Sequence, residues 1–327
     1  MSFSHEIKHE IIQKGVAKKC CKKAFLAGFI RSTGVIIKTD DGYGFECSTD
    51  LVDALGYSLR LMSEIYNYNG GETFYYDDNL NKKTVYAVDC IGEDAVSMLL
   101  DLGILGYGEE GDEYELRLKS NKELLDKECC IKSFIKGMFI GSGFCSIPNA
   151  EINTALDSQK EQKTKSGYHL EVSFTHRVPA SEFAGYLADF GILAKAIVRR
   201  KSVVVYIKNS NEIKDFLALI NTPKAVLKIS DTIIAKQFNN DLNRKFNCDV
   251  ANIKKVSGAS DKYAYAIETI DSTIGLDSLP PELQQTAEMR LSYREYSLAE
   301  LSEVLGVTKS CLNHRLRKIA KIAEELE

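Results

Sequence analysis

The chain has 327 residues, 44% of them hydrophobic and 27% charged, an ordinary globular composition with enough length for about two domains. Five Pro and 22 Gly exclude a long low-complexity linker. Lys and Arg total 42 against 46 Asp and Glu, a net charge of −4, which taken as one number argues against a nucleic-acid binder. The start, Met1-Ser2-Phe3-Ser4-His5-Glu6, is polar, so no secretory signal is expected. No apolar run reaches the ~20 residues that span a bilayer. The nine Cys include no C-x-x-C pair; Cys20-Cys21 and Cys129-Cys130 are adjacent doublets. Paired ligands two to four apart are what zinc ribbons and fingers need. The reading is therefore buried free thiols in a reducing cytoplasm, with no metal and no cofactor.

The pattern of the first part predicts helices near Ala17–Ser32, Leu51–Tyr66 and Gly92–Leu102. Strands are predicted near Val35–Lys38, Gly44–Cys47, Thr73–Tyr76 and Thr84–Asp89. The β-branched run Val85-Tyr86-Ala87-Val88 and, later in the chain, Val203-Val204-Val205 carry the firmest strand signals. Charge is concentrated here: Asp40–Arg117 holds 18 acidic residues against 4 basic ones. This stretch is repelled by phosphate at long range, whereas the remainder is free to bind an acidic polymer.

The segment Cys20–Gly34 returns later in the chain as Cys129–Gly143, with both Cys, one Lys, the Phe and two Gly identical. Weaker echoes follow in near-parallel order, such as Leu102-Gly103-Ile104-Leu105 with Phe190-Gly191-Ile192-Leu193. A duplication with the pattern αββαββα accounts for them. In the second copy Glu151–Asn153, Leu170–Phe174, Lys195–Arg199 and Val203–Ile207 read as strands, and Ala155–Ser166 as an exposed loop. Gly28 and Gly137 fall inside helices, where Gly costs ~1 kcal/mol relative to Ala. Placing it there twice, in register, points to two helices packed face to face at a pseudo-twofold axis.

Leu26-Ala27-Gly28-Phe29-Ile30-Arg31-Ser32-Thr33-Gly34 resembles a degenerate LAGLIDADG motif of homing endonucleases, and Ile135–Gly143 resembles its second copy. The resemblance implies that the last acid of each motif helix would hold catalytic divalent metal ions. Those positions are Thr33 and Ser142 here, and the earlier acid of the motif is replaced by Arg31 and Ile140. Hydroxyls replace neither the charge nor the ligands of carboxylates, so no catalytic residue is expected. Asp40 and Asp41 read as a hairpin turn. The resemblance also implies a basic sheet lying on DNA. Lys195, Arg199, Arg200 and Lys201 make the second copy the more basic, which leaves partial contact or a solvated hairpin face open.

From Thr222 the strand pattern ends. Val226–Phe246 and Val250–Thr273 read as two helices, the second with an apolar face through Val250, Ile253, Val256, Tyr263, Ile267, Ile270 and Ile274. Asn243, Arg244, Asn247 and Asn252 cluster between them, as a phosphate or partner surface or as interhelical caps. Leu279-Pro280-Pro281-Glu282 starts a helix to about Leu291. Ser297 and Glu300 form a capping box for a short helix, Leu298–Leu305, that stops at Gly306. Thr308 then caps a helix from Lys309 to about Glu324. Leu298, Leu301, Leu305, Val307, Leu312, Leu316 and Ile319 supply a shared core. Short helix, Gly turn and second helix make a helix-turn-helix. No acid occurs between Glu303 and Glu324. Lys309, Ser310 and Asn313 are the leading base-reading candidates, with His314 and Arg317 next; Arg315, Lys318 and Lys321 suit the DNA backbone.

Degenerate LAGLIDADG repeats followed by this helix-turn-helix resemble the WhiA family over essentially the whole chain. Asn252-Ile253-Lys254-Lys255, Leu279–Leu283 and Asn313-His314-Arg315-Leu316-Arg317-Lys318 carry the likeness. The fold class is thus α+β, with repeats at 1–119 and 120–221, a helical linker region at 222–276 and an all-α helix-turn-helix domain at 277–327. The resemblance implies a non-enzymatic regulator that binds double-stranded DNA, cytoplasmic and nucleoid-associated. It implies roles in cell division, chromosome segregation and, where it occurs, sporulation, with other regulatory or cell-division proteins as further partners and no membrane. The residues leave two other classes open: a LAGLIDADG nuclease using unconventional acids, and a maturase-like RNA-binding protein.

Overall fold

In the computed structural model, which describes residues 2–39, 42–78, 83–108, 114–148, 167–199 and 202–326, the chain divides into two units, Met1–Gln237 and Phe238–Glu327. The first unit opens with helix α1 (Phe3–Lys14) and the motif helix α2 (Lys19–Thr33). Strands β1 (Gly34–Thr39) and β2 (Gly42–Thr49), helix α3 (Val52–Tyr66), strands β3 (Glu72–Asp78) and β4 (Lys83–Ile91), and helix α4 (Glu93–Asp101) complete the first repeat. A small hairpin, β5 (Leu105–Tyr107) with β6 (Tyr114–Leu116), precedes the second motif helix α5 (Glu128–Ser142). The second repeat continues with β7 (Gly143–Ser146), β8 (His169–Phe174), α6 (Arg177–Asp189), β9 (Lys195–Arg199), β10 (Ser202–Ile207) and α7 (Ser210–Leu219).

The two four-stranded sheets have the same antiparallel order, β1-β2-β4-β3 and β7-β8-β10-β9. Each begins on the glycine that ends its motif helix. The duplication read from sequence is therefore a duplication of topology. Alternation along the strands sends Phe45, Cys47, Val88 and Cys90 of one sheet, and Leu170, Val172 and Phe174 of the other, into one core with Phe25, Phe29, Phe134 and Phe139. All four of these Phe residues on the motif helices are fully buried.

Several elements differ from the sequence expectation. Helix α1 was not expected, because its apolar residues Phe3, Ile7, Ile11 and Ile12, which pack on the core, are interleaved with Ser4, Lys8 and Glu10, polar residues that are buried with them. Its Glu10 is buried and accepts hydrogen bonds from the backbone N–H of Lys224 (3.0 Å) and Ala225 (3.1 Å). Its Lys8 is buried and donates to Asp50 at 3.0 Å. The first strand of the second sheet is β7, directly after α5; the segment Glu151–Asn153 and the loop Ala155–Ser166 lie outside the described residues. So do Asp40, Asp41, Arg200 and Lys201.

The two helices expected over Val226–Thr273 are one, α8 (Pro223–Thr273). Asn247-Cys248-Asp249 contains neither Gly nor Pro. Each of these residues costs at most ~0.7 kcal/mol in a helix, too little to break it where flanking turns continue. Asn243, Arg244 and Asn247 are consequently exposed along a helix surface rather than capping a turn, and the Asn252 side chain lies outside the described residues. The C-terminal turns of α8 pack Ala266, Ile267 and Ile270 into the core of the second unit. That unit continues with α9 (Pro281–Ser292), α10 (Leu298–Val304) and α11 (Lys309–Glu324). Among the described residues no helix is long and apolar enough to cross a membrane.

Candidate nucleic-acid interface

The C-terminal ends of α2 and α5 are where a LAGLIDADG enzyme would hold its metal ions. Close backbone approach is what brings these helices together. A Cβ on Gly28 would lie 2.2 Å from the Phe134 carbonyl oxygen, and one on Gly137 would lie 2.0 Å from that of Phe25. At the helix ends, Thr33 Oγ1 donates to the Phe29 carbonyl at 2.8 Å and Ser142 Oγ to the Ser173 carbonyl at 2.7 Å. Both hydroxyl protons are spent on backbone. Arg31, at the earlier acid position, is also structural. Its guanidinium donates to the carbonyls of Gly103, Arg117, Leu118 and Lys119 at 2.7–3.1 Å. This position thus ties down the chain that links the two repeats. Burial pulls the Arg31 pKa down, against the nearby Glu182 carboxylate.

The sheet faces opposite the core differ in charge. In the first repeat Glu46 and Asp89 are register partners on β2 and β4. Burial, with Asp89 adding to it, raises the Glu46 carboxyl above its ordinary range. Two carboxylates side by side are unsuited to a phosphate backbone. In the second repeat Lys195 and Arg199 are exposed on β9, but Arg199 pairs with Glu171 at 3.2 Å, which also faces His169 at 2.9 Å.

The second unit presents a different surface. Arg290 of α9 is buried and donates to the carbonyls of Tyr296 (2.7 Å) and Arg294 (2.8 Å), which fixes the turn into α10. Ser297 caps α10 through a reciprocal capping box with Glu300. Hydrogen bonds from Ser297 to its carboxylate hold Glu300 below its usual pKa. The helix ends at its C-cap Leu305, and the next residue, Gly306, has a φ of +64°, the left-handed conformation that lets the chain turn without strain. Thr308 accepts from the Cys311 N–H to start α11. Leu301, Leu312, Leu316 and Ile319 are fully buried, and Ser302 is buried with its hydroxyl on the Ala299 carbonyl. The small side chain at Ser302 suits the crossing of α10 with α11.

At 100° per residue, Ser310, His314, Arg317 and Lys321 recur at i, i+4, i+7 and i+11 and share one stripe of α11. All four are exposed, as are Lys309 and Lys318. The stripe is edged by the buried Leu312, Leu316 and Ile319 on the opposite side. Asn313 is half-buried. Arg315, expected on the DNA backbone, turns away from the stripe. Its side chain is 16% exposed and its guanidinium meets Glu282 of α9 at 3.2 Å. Sequence reasoning missed this partner because Glu282 lies on another helix, far back in the chain, and nothing in the local pattern pairs the two. Arg290 was missed likewise: an Arg in a helix ordinarily reads as a surface charge.

Three family models match the chain. They are described as the WhiA N-terminal LAGLIDADG-like domain (residues 19–105), the WhiA LAGLIDADG-like domain (131–239) and the WhiA C-terminal HTH domain (242–323). A relative named "Probable cell division protein WhiA" from Caldicellulosiruptor saccharolyticus is 34% identical, with 100% of this chain and 96% of the relative covered. The one of the same name from Bacillus subtilis is 32% identical, with 100% and 97% covered. The solved structure of full-length DUF199/WhiA from Thermatoga maritima is similar in fold, with a TM-score of 0.59 at 23% identity, covering 100% of this chain and 99% of the other.

Proposed function

The chain belongs to the WhiA family, and from that premise we propose that it is a non-enzymatic regulator that binds duplex DNA through α11. One observation carries the reading: the exposed stripe Ser310, His314, Arg317 and Lys321, flanked by Lys309 and Lys318, on the second helix of a capped helix-turn-helix. In this geometry the second helix enters the major groove with its N-terminal residues toward the bases. Lys309, Ser310 and His314 then face base edges with Arg317, which is able to pair bidentately with guanine. Lys318 and Lys321 neutralise phosphate. Arg315 is the internal strut that holds α11 on α9, and Asn313 contributes from the edge.

The repeat unit is a LAGLIDADG scaffold without catalysis. Its motif ends carry Thr33 and Ser142 in place of the acids, and both hydroxyls bond backbone. Its role is regulatory or partner contact. The name that these relatives carry supports a role in cell division, to which we add chromosome segregation and, where it occurs, sporulation, in the cytoplasm at the nucleoid.

Fluorescence anisotropy on the full chain, with duplex DNA and structured RNA in competition, tests the binding class. His314→Ala with Arg317→Ala is expected to weaken duplex binding, and wild type is expected to prefer duplex over RNA. Equal binding by variant and wild type, or preference for RNA, would overturn the assignment. Supercoiled plasmid incubated with the protein and Mg²⁺ or Mn²⁺ is expected to stay intact. Nicking that disappears when acids near the helix axis are replaced would restore the nuclease.

A further inference from the structure

The packing that joins the motif helices has a second consequence at their other end. Cys20 and Cys21 sit in the first turn of α2, and Cys129 and Cys130 occupy the equivalent positions of α5. The pseudo-twofold axis therefore brings two doublets, one from each repeat, against one another. Their four sulfur atoms all lie within 4.8 Å of each other, and Cys20 Sγ is 4.0 Å from Cys21 Sγ. Cys21 and Cys130 are buried, and Cys20 and Cys129 are half-buried.

We propose that these four cysteines form a tetrathiolate site for a single soft divalent ion of the zinc class, clamping the two repeats together at the N-terminal ends of α2 and α5. Three independent features support it. The first is size. Zn–S bonds of about 2.3 Å put the four sulfurs of a tetrahedron about 3.8 Å apart, so the observed separations need to contract by at most about 1 Å. The second is charge. Four thiolates around a divalent ion leave a net charge of −2, and two helix N-termini face it, each with the partial positive end of its dipole. Neither α2 nor α5 has a side-chain cap, and the capping residues are Lys18 and Lys127. The third is access. A cleft of about 470 Å³ reaches Cys21 and Cys129 between Lys18, Lys132 and Lys136, which gives an entry path and further positive charge.

The sequence rule for zinc looks for ligand pairs two to four apart because a local turn must converge them. Here tertiary packing performs that convergence, and the symmetric placement makes each doublet half of one site. Binding forms four metal–sulfur bonds and releases the protons of the four thiols to solvent; no electron moves. With four protein ligands the site has no open position, so its role is structural rather than catalytic. It is independent of the assignment of α11 to DNA.

Purified full-length protein, reduced and stripped of metal under anaerobic conditions, is titrated with Co²⁺ and then with Zn²⁺. One Co²⁺ per chain is expected to give intense sulfur-to-cobalt charge-transfer absorption and the visible bands of tetrahedral cobalt. One Zn²⁺ should abolish both. Cys20→Ser with Cys129→Ser should lose the spectrum, while Cys248→Ser keeps it. Should the double variant fail to fold, alkylation of the wild type with and without Zn²⁺, mapped by mass spectrometry, decides: protection confined to Cys20, Cys21, Cys129 and Cys130 supports the site. No tetrahedral spectrum with wild type, a spectrum that survives in the double variant, protection of other cysteines, or a disulfide among these four in freshly prepared protein kept anaerobic would each overturn it.

Discussion

Replacing Gly137 by Ala tests the helix packing on which the repeat unit depends. A methyl group there would stand 2.0 Å from the Phe25 carbonyl oxygen and 2.9 Å from the Phe29 amide nitrogen. Ordinary contact begins near 3.4 Å, so α2 and α5 must move apart at this point. The obstructing atoms are backbone, so no side chain can rotate away. Helix propensity favours the substitution by ~1 kcal/mol, but overpacking of this kind costs about 3 kcal/mol, the upper part of its usual range. The net loss is about 2 kcal/mol, or a Tm decrease of about 4–8 °C for a unit of this size. Gly56 in α3 is the control, because a Cβ there meets nothing within 4 Å. Gly56→Ala should raise stability by about 0.5–1 kcal/mol. Thermal and urea unfolding followed by circular dichroism measure both. Stabilisation by Gly137→Ala, in parallel with Gly56→Ala, would refute the argument from close approach.

Other outcomes follow from particular contacts. Burial pushes the Asp50 carboxyl up, but Lys8 at 3.0 Å together with His5 outweighs burial and holds its pKa below the ordinary value. A carboxylate lowered in the folded state stabilises it above the unfolded pKa of about 3.9, and this is lost as pH falls through the folded value. Asp50→Ala should therefore cost about 2 kcal/mol at neutral pH, less than for a fully buried pair because Asp50 is 30% exposed. Its acid unfolding profile should be flatter below about pH 4 than that of wild type. Arg315→Ala should destabilise the second unit by about 1 kcal/mol through its half-buried stem. Glu282→Ala should change stability by less than about 0.5 kcal/mol, since that carboxylate is 76% exposed. Urea midpoints of the two variants separate these cases.

Much of this architecture could be read from local pattern. The β-branched runs marked β4 and β10, Ser297 and Glu300 marked the start of α10, and Gly306 and Thr308 marked the turn into α11. What escaped was long-range. Helix α1 mixes its apolar residues Phe3, Ile7, Ile11 and Ile12 with buried polar ones, and it is held by Glu10 and Lys8 reaching partners far along the chain. The continuity of α8 was hidden because Asn and Asp read as turn residues, although their cost within a helix is small. Arg31 read only as a lost acid, and its four carbonyl partners lie beyond the whole first sheet in sequence. The repeated cysteines were visible as doublets, but their convergence is a product of the glycine-mediated packing of α2 on α5.

The net charge of −4 averages a first repeat unsuited to phosphate with an α11 stripe suited to it, and the salt dependence of DNA binding separates these contributions most directly. The dissociation constant of full-length protein on duplex DNA is measured at several salt concentrations for wild type and for Lys318→Ala with Lys321→Ala. Each lost phosphate contact lowers the slope of log K against log salt by about one, so the double variant should bind more weakly with a slope smaller by about two. Identical affinities and slopes would contradict the assignment of α11 as the face that meets DNA.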